Sequence, residues 1–373
     1  MKVALVHYWL TGMRGGEKVL ETLCEMYPQA DIYTHVYAPG TVSDTIRRHA
    51  VRTTFINKLP RAEKMYQRYL PFMPFALEQL DLRGYDLVIS SESGPAKGVI
   101  LKAETTHVCY CHSPMRYLWD MYQEYLASAG CVTRLAFRLF SYRLRQWDAL
   151  SALRVDHFVA NSNTVAARIK KHYRREATVI NPPVDVDAFA PCAATALPPD
   201  APYLCFGELV PYKRVDLAIE ACVRSNRRLV VVGDGPERKK LQATAGPGVE
   251  FTGRLDFPEL RKRIAECKAL IFPGLEDFGI IPLEVQAAGK PVIAYAAGGA
   301  LETVENGKTG IFFTEQTAAN LINALETFES QQAAFDAEYI TGHAREFSKE
   351  RFKHEFSTFI HSVCPAAAHE EIS

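Results

Sequence analysis

Gly274-Leu275-Glu276-Asp277-Phe278-Gly279-Ile280-Ile281-Pro282-Leu283-Glu284 is the stretch whose reading decides the fold. The apolar run just before it, Ala269-Leu270-Ile271-Phe272, has the length and composition of a buried strand. A helix-like run follows over Pro282–Ala288 and stops at Gly289, a residue suited to the left-handed position after a helix. Glu276 therefore falls in a strand-to-helix loop at the carboxyl edge of a parallel sheet, where open α/β folds bind ligands. Glu284 falls about one turn into the helix, able to point back at the same crevice. Phe278 and Gly279 offer backbone N–H groups at a helix N-terminus, an arrangement that suits phosphate.

The same strand-then-helix alternation runs outward in both directions. Toward the N-terminus, strands are expected at Val3–His7, Ile32–Tyr37, Leu87–Ser90, Thr106–Cys111 and His157–Asn161, each with turn residues at its carboxyl end. A helix is expected from Glu17 to about Met26. Around the opening stretch, strands are expected at Tyr203–Phe206, Leu229–Val232, Val249–Thr252 and Val292–Tyr295. Helices fit Asp216–Arg224, Pro236–Ala245, Phe257–Glu266, Ala318–Glu329 and Lys349–Val363. Such alternation means doubly wound parallel sheets. Asn181-Pro-Pro-Val-Asp185-Val-Asp187 and the Ala- and Pro-rich run behind it break the pattern. The expected organisation is an α/β chain of two Rossmann-like doubly wound domains facing a central cleft. Its parts are an N-terminal domain over 1–180, a linker over 181–202, a second domain over 203–345 and a C-terminal helical segment over 346–373.

With 373 residues, 48% hydrophobic and 23% charged, the chain has the make-up of a globular two-domain enzyme. The formal net charge is zero, but residues 1–180 hold 24 Lys+Arg against 16 Asp+Glu, and the remainder holds 19 against 27. A basic first half fits a partner carrying phosphates or an anionic membrane surface, and equally a scatter of solvated charges. The first residues lack a secretory leader's apolar length and cleavage site, and no apolar run reaches the length of a membrane span. The nine cysteines show no disulfide spacing, so a reducing cytoplasm is expected.

Several motifs carry candidate chemistry. Gly12, Gly15 and Gly16 lie between the first strand and its helix, where a backbone can approach a phosphate, although the spacing is not the dinucleotide fingerprint and a plain tight turn explains it too. Gly233-Asp234-Gly235-Pro236 has the same double reading in the second half. Lys213-Arg214 opens a helix, and cations there oppose the helix dipole, which favours a role for them in neutralising an anion. His107, Cys109, Cys111 and His112 crowd together, yet they alternate on a strand and have no second metal-binding pair, so no zinc is expected. His112 ends that strand and is placed at its ligand edge. Asp185-Val-Asp187 sits in the Pro-rich linker and reads as structural, so no catalytic metal is expected. Two stretches mix Arg/Lys with aromatics, Arg52–Phe75 and Arg134–Trp147, as an interfacial helix on anionic lipid does. Amphipathic helices covering a sheet explain them as well. No nucleic-acid motif accompanies the charge, so no nucleic-acid partner is expected.

Taken together, Phe206-Gly207 with Lys213, Gly233-Asp-Gly-Pro236, Phe251-Thr-Gly253-Arg254, Glu276…Glu284, Gly289-Lys-Pro-Val-Ile293 and Gly298-Gly299-Ala-Leu-Glu302 closely resemble the family 4 retaining glycosyltransferases of the GT-B fold. Cys111-His112-Ser-Pro-Met-Arg116-Tyr-Leu-Trp-Asp120 and Leu209-Val-Pro-Tyr-Lys213-Arg214 look most like bacterial mannosyltransferases of O-antigen lipopolysaccharide and exopolysaccharide assembly. The resemblance implies an alpha-mannosyltransferase using GDP-mannose, with a polyprenyl-diphosphate-linked saccharide as acceptor, working in the cytoplasm at the inner face of the cytoplasmic membrane. It assigns catalysis to His112, Glu276 and Lys213. Gly15, Gly16, Lys213, Arg214, Gly233, Gly235, Arg254, Glu276, Phe278, Gly279, Ile280 and Glu284 would bind the nucleotide-sugar donor, with Glu284 on the ribose diol. A carboxylate suits such work because it accepts two hydroxyl hydrogen bonds at once. Arg116 and Asp120 would meet the acceptor, the first domain would bind it, and the last helix would cross back onto that domain. No cofactor is implied. One position departs from the family: Glu208 stands where an Arg is common, and a carboxylate there calls for a cationic partner, with Lys213 and Arg214 at hand. The alternatives are a UDP-sugar-dependent transferase, a nucleotide-sugar 2-epimerase of the same architecture and a non-catalytic nucleotide-sugar binder.

Overall fold

A computed structural model describes residues 1–128, 130–190, 197–198 and 200–364. The Ala-rich part of the expected linker, 191–196, and residues 365–373 of the expected C-terminal segment lie outside the described residues. The chain divides into two compact units, one of Met1–Pro183 with the residues from Phe352 onward, the other of Val184–Arg351.

The first unit is built on seven parallel strands: β1 (Val3–His7), β2 (Asp31–Thr34), β3 (Val51–Thr53), β4 (Leu87–Glu92), β5 (Thr106–Cys111), β6 (His157–Ala160) and β7 (Ala177–Val179), in the order β3-β2-β1-β4-β5-β6-β7. The central strands are buried on both faces, as parallel sheets covered by helices must be. Leu5, Ile89, Val108 and Val159 pack on one face against Val19, Leu20 and Leu23 of the helix Gly15–Met26, and against Phe352, Phe356 and Ile360 of the helix Lys349–Val363. Those last three recur every four residues, the spacing that puts them on one helix face. Ala4, Val6 and Val88 point the other way, onto Leu77, Leu82, Ala96 and Val99.

The second unit holds six parallel strands: β8 (Tyr203–Phe206), β9 (Leu229–Val232), β10 (Val249–Gly253), β11 (Leu270–Phe272), β12 (Val292–Tyr295) and β13 (Gly310–Phe313), in the order β10-β9-β8-β11-β12-β13. Cys205, Val231, Ile271 and Ile293 face one helical layer, and Leu204, Val230, Leu270 and Val292 face the other. In each sheet the strand order reverses once, between β1 and β4 and between β8 and β11. The crevice outside the carboxyl ends of the strands at such a reversal is where open α/β sheets bind ligands.

Some elements depart from the expectation. The strand expected to reach Tyr37 stops at Thr34, because the chain turns off the sheet there. The helix expected from Pro236 starts at Arg238, and the one expected from Pro282 starts at Ile280, where Pro282 is tolerated because a proline in the first turn gives up an N–H that has no helical partner. Edge strands β3 and β7 are short, only partly buried and without an apolar run, so periodicity does not mark them.

The helix Cys131–Ser151 has two contrasting faces. Ser141, Leu144, Asp148 and Ser151 are buried inward, while Leu135, Leu139, Phe140, Tyr142 and Leu150 are exposed, about half or more of each surface remaining open. Arg138 and Arg143 are also exposed, and the one carboxylate of the helix, Asp148, is buried. Among the described residues no helix is long and apolar enough to cross a membrane.

Candidate functional site

In the second unit, the chain leaving β8 turns at Gly207 (φ +135°), runs through a short 3-10 turn at Pro211–Lys213 and enters the helix Val215–Arg224 from Arg214, which has left-handed backbone. The neighbouring β11 ends at Phe272 and leads into the loop that carries Glu276. The two segments therefore meet at the sheet's reversal point. Lys213 Nζ lies 2.9 Å from Glu276 Oε1. With Gly207, Glu208, Gly274 and the ends of β8 and β11 they line one narrow pocket. Burial pushes the Lys213 ammonium down, but the facing Glu276 carboxylate outweighs it and the net shift is upward, so the lysine is a firmly held cation. Burial raises the Cys205 thiol at the end of β8 to about 12, so it stays protonated.

Close backbone approach builds this corner. A methyl on Gly274 would press on Lys213 Cα at 2.7 Å, and one on Gly233 (φ +134°) would overlap the Gly207 carbonyl. Gly235 packs in the same way on the Leu209 backbone, so both loop glycines have a packing reason. Gly299 donates its N–H to the Glu276 carbonyl at 2.9 Å and lies against Phe278 with no room for a side chain. The loop bearing Glu276 is thereby clamped from the β12 side. Phe278 is buried against Phe347, ring centroids 5.8 Å apart. Gly279 takes φ +97° to start the helix Ile280–Ala287, whose N-terminus has no side-chain cap among the described residues. Glu284 is buried within that helix. Arg254 is exposed just past β10. Lys213 thus meets Glu276, while Arg214 Nε reaches both Asp216 oxygens at 3.2 Å.

In the first unit, His7 ends β1, Ser91 lies beside it in register on β4, and His112 follows β5. Strand order alone brings them together at the reversal point. Ser91 Oγ is 3.1 Å from His7 Nδ1 and 2.8 Å from His112 Nε2. His7 Nε2 is buried without a hydrogen-bond partner among the described residues and faces Glu17 Oε1 at 4.0 Å. Glu17, itself buried, accepts the Arg14 N–H at 3.1 Å through Oε2. Burial, helped by the nearby His7, lowers His112 to about 3, so its imidazole is neutral at physiological pH. Gly16 stands against this cluster: a methyl there would overlap the Tyr8 hydroxyl and sit 3.5 Å from His112 Nε2. Gly15 is the first residue of the adjoining helix.

Other singled-out residues are held by structural partners. Asp120 binds Arg168 Nε at 2.6 Å and His172 Nε2 at 2.8 Å. Arg116 is half-buried in the turn before it, its carbonyl accepting from Met121 N–H. His107 is satisfied on both nitrogens, by Ser90 and by the Arg154 carbonyl, and burial lowers it to about 4. Asp185 accepts the Ala188 N–H and pairs with Lys349 at 2.8 Å. No group of three or more His, Cys, Asp or Glu able to hold a metal ion occurs among the described residues. Sequence reasoning passed over His7, Glu17 and Ser91; the one available signal was a histidine at the carboxyl end of the first strand.

The model described as "Glycosyltransferase Family 4" matches residues 13–188, and that described as "Glycosyl transferases group 1" matches 195–347. A D-inositol 3-phosphate glycosyltransferase of Streptomyces avermitilis is 29% identical over 210 residues, 48% of this chain and 45% of that protein. A GDP-mannose-dependent alpha-mannosyltransferase of Mycolicibacterium smegmatis is 33% identical over 173 residues, 44% and 46% of the two. The chain spans about half the length of the curated relatives it matches. Among solved structures, Anabaena Alr3699/HepE in complex with UDP and glucose superposes with a TM-score of 0.71 at 18% identity, over 97% of this chain and all of that one, a likeness of fold. With each half matched by a glycosyltransferase model and two parallel-sheet units underneath, the chain belongs to the family 4 glycosyltransferases of the GT-B fold.

Proposed function

We propose that the protein transfers mannose from GDP-mannose, with retention at the anomeric carbon, to a polyprenyl-diphosphate-linked saccharide in cell-surface polysaccharide synthesis. The observation that carries the donor site is the Lys213–Glu276 pair at the reversal point of the second sheet, beside an uncapped helix start and the buried Glu284. Lys213 and the N–H groups of Gly279 and Ile280 balance the diphosphate as it leaves, and a positioned cation and amides act most strongly where charge develops in the transition state. Glu276 keeps Oε2 for sugar hydroxyls, and Glu284 takes the ribose diol. His112, the residue that the resemblance assigns to the transferred sugar, meets it as a neutral ring. The departing diphosphate accepts the acceptor's proton, so no metal and no protein nucleophile takes part. The mannosyl donor draws support from the GDP-mannose-dependent relative, which is similar over less than half of its length. The lipid-linked acceptor and a peripheral place on the membrane draw support from the charge of residues 1–180 and the exposed apolar face of the helix Cys131–Ser151.

The test is nucleoside-diphosphate release from a panel of GDP- and UDP-sugars in EDTA, with and without membrane lipid extract. Release from GDP-mannose that rises with the extract is expected. Glu276→Ala and Glu284→Ala should each lower kcat/KM about a hundredfold or more, equivalent to about 2.7 kcal/mol of transition-state binding. Undiminished rates in both variants would remove the assignment. Release from a UDP-sugar would overturn the donor and keep the reaction class. Conversion of the donor sugar without any acceptor would favour the epimerase reading, and binding without turnover the non-catalytic one.

A further inference from the structure

Glu17, His7 and Ser91, all buried, form a line of polar side chains that ends on half-buried His112 and that the proposed function leaves unused, apart from His112 itself. Ser91 has one hydroxyl proton and touches two imidazole nitrogens, so it donates to one and accepts from the other. The whole line therefore has two proton arrangements, and whatever fixes one end fixes the other. A neutral imidazole carries a single proton, and the choice is between its two nitrogens. On His7 the nearest acceptor for Nε2 is Glu17 Oε1 at 4.0 Å, and no other hydrogen-bond partner reaches that buried nitrogen among the described residues. A proton on Nε2 lies in the field of the carboxylate, whereas a lone pair there would face it. His7 Nδ1 is then bare and accepts the Ser91 hydroxyl. Ser91 Oγ in turn accepts from His112 Nε2–H, which leaves His112 Nδ1 with a lone pair.

We propose that Glu17, acting through His7 and Ser91, is a positioning residue that holds His112 in its Nε2–H tautomer and presents Nδ1 as a hydrogen-bond acceptor for a sugar hydroxyl. The use made of Nδ1 rests on the transferase reading; the tautomer does not. Second partners of a histidine set which nitrogen is available for chemistry, as in metal and hydrolase sites. The device depends on β1 and β4 being neighbours at the reversal point, and on the helix after β1 starting where Glu17 reaches back under the strand end.

The geometry also states what one conservative change does. Glu17 Oε2 accepts the Arg14 N–H, so in Glu17→Gln the amide oxygen stays there and the NH2 group takes the place facing His7. An amide N–H toward Nε2 moves the His7 proton to Nδ1, reverses the Ser91 hydroxyl and puts the His112 proton on Nδ1. The experiment is long-range 1H–15N correlation of the full-length, 15N-histidine-labelled protein at pH 8, with the His112 signals assigned through His112→Gln. The wild type should show His112 as the Nε2–H tautomer, Glu17→Gln should show Nδ1–H, and Ser91→Ala should show a mixture. In turnover assays Glu17→Gln should lower kcat about tenfold with little change in donor KM, and Ser91→Thr, which keeps the hydroxyl, should stay near wild type. Nδ1–H in the wild type, or an unchanged tautomer in Glu17→Gln, would overturn the proposal. Should Ser91→Ala fail to fold, the Glu17→Gln spectrum decides alone. A tautomer that switches as stated in a protein that turns over no nucleotide sugar would keep the device and sink the transferase reading of its use.

Discussion

At the scale of single residues, a cluster of charged side chains lies inside the first unit. Lys97, Glu92 and Asp148 are wholly buried together in the first unit. Lys97 Nζ reaches Glu92 Oε1 at 2.6 Å and also Asp148 Oδ1, and Asp148 Oδ2 takes the Trp119 indole N–H at 2.7 Å and the Tyr173 hydroxyl at 2.9 Å. Burial pushes the Glu92 carboxyl up against the pull of Lys97. Removing the one cation would strand two carboxyl groups in a dry site. Lys97→Met is therefore expected to cost about 3–5 kcal/mol, read as a drop in the urea midpoint. A loss under about 1 kcal/mol would show that the cluster is hydrated and that Lys97 does not hold it together. Nothing near Lys97 in the sequence announces this, for Gly94-Pro95-Ala96-Lys97-Gly98 has the composition of a surface turn and Asp148 is 51 positions away. The Lys213–Glu276 pair was half legible. Glu276 stood out by its loop, but which cation would face it depended on the left-handed turn at Arg214, which separates two adjacent basic residues.

At the scale of elements, the helix Cys131–Ser151 shows why amphipathic sequence alone left two readings. Its inward face is closed by Ser141, Leu144, Asp148 and Ser151 with Trp147 partly buried beside them, so Leu135, Leu139, Phe140, Tyr142 and Leu150 are not needed to cover the sheet. The proposed place on an anionic bilayer calls for an outward apolar stripe flanked by cations, here Arg138 and Arg143, because burying side chains and approaching anionic headgroups both contribute. Leu135→Asp with Leu139→Asp should reduce flotation with phosphatidylglycerol vesicles at least fivefold and leave nucleoside-diphosphate release from the free donor unchanged. Equal binding of wild type and variant, or equal binding to neutral vesicles, would argue against this face. Dimerisation of the wild type that the same pair abolishes would reassign it to a second copy of the chain.

At the scale of the whole molecule, the first unit carries three histidines, His35 and His107 buried and His112 half-buried, whose pKa is lowered by removal from water: His35 to about 4, His107 to about 4 and His112 to about 3. Each has a folded pKa below its unfolded value near 6.5. The unfolded chain therefore binds more protons between those limits, and stability is full above about pH 6.5 and lost as pH falls toward 4. Each group contributes about 1.4 kcal/mol per pH unit in that window, or about 2 kcal/mol at pH 5. Melting at pH 7.5 and pH 5.0 should show a clear fall, and His35→Gln, which keeps hydrogen-bonding capacity toward Thr54 and the Pro95 carbonyl without the titration, should flatten it. A slope unchanged by that variant would exclude His35 from the acid response. The sequence by itself determined the two parallel sheets, the alternation of strands and helices, and the placing of Glu276 and Glu284 around a strand-to-helix loop. These follow from local burial on both faces of each strand, and runs such as Leu229–Val232 and Tyr203–Phe206 carry that in their composition. Only the tertiary structure decided that Lys213 faces Glu276, that Ser91 links His7 to His112, that Lys97 is buried and that one helix face is left bare. Each of those depends on strand order and on which side of a packed layer a residue finally lies, and both are set by contacts between segments far apart in the chain that no local pattern encodes.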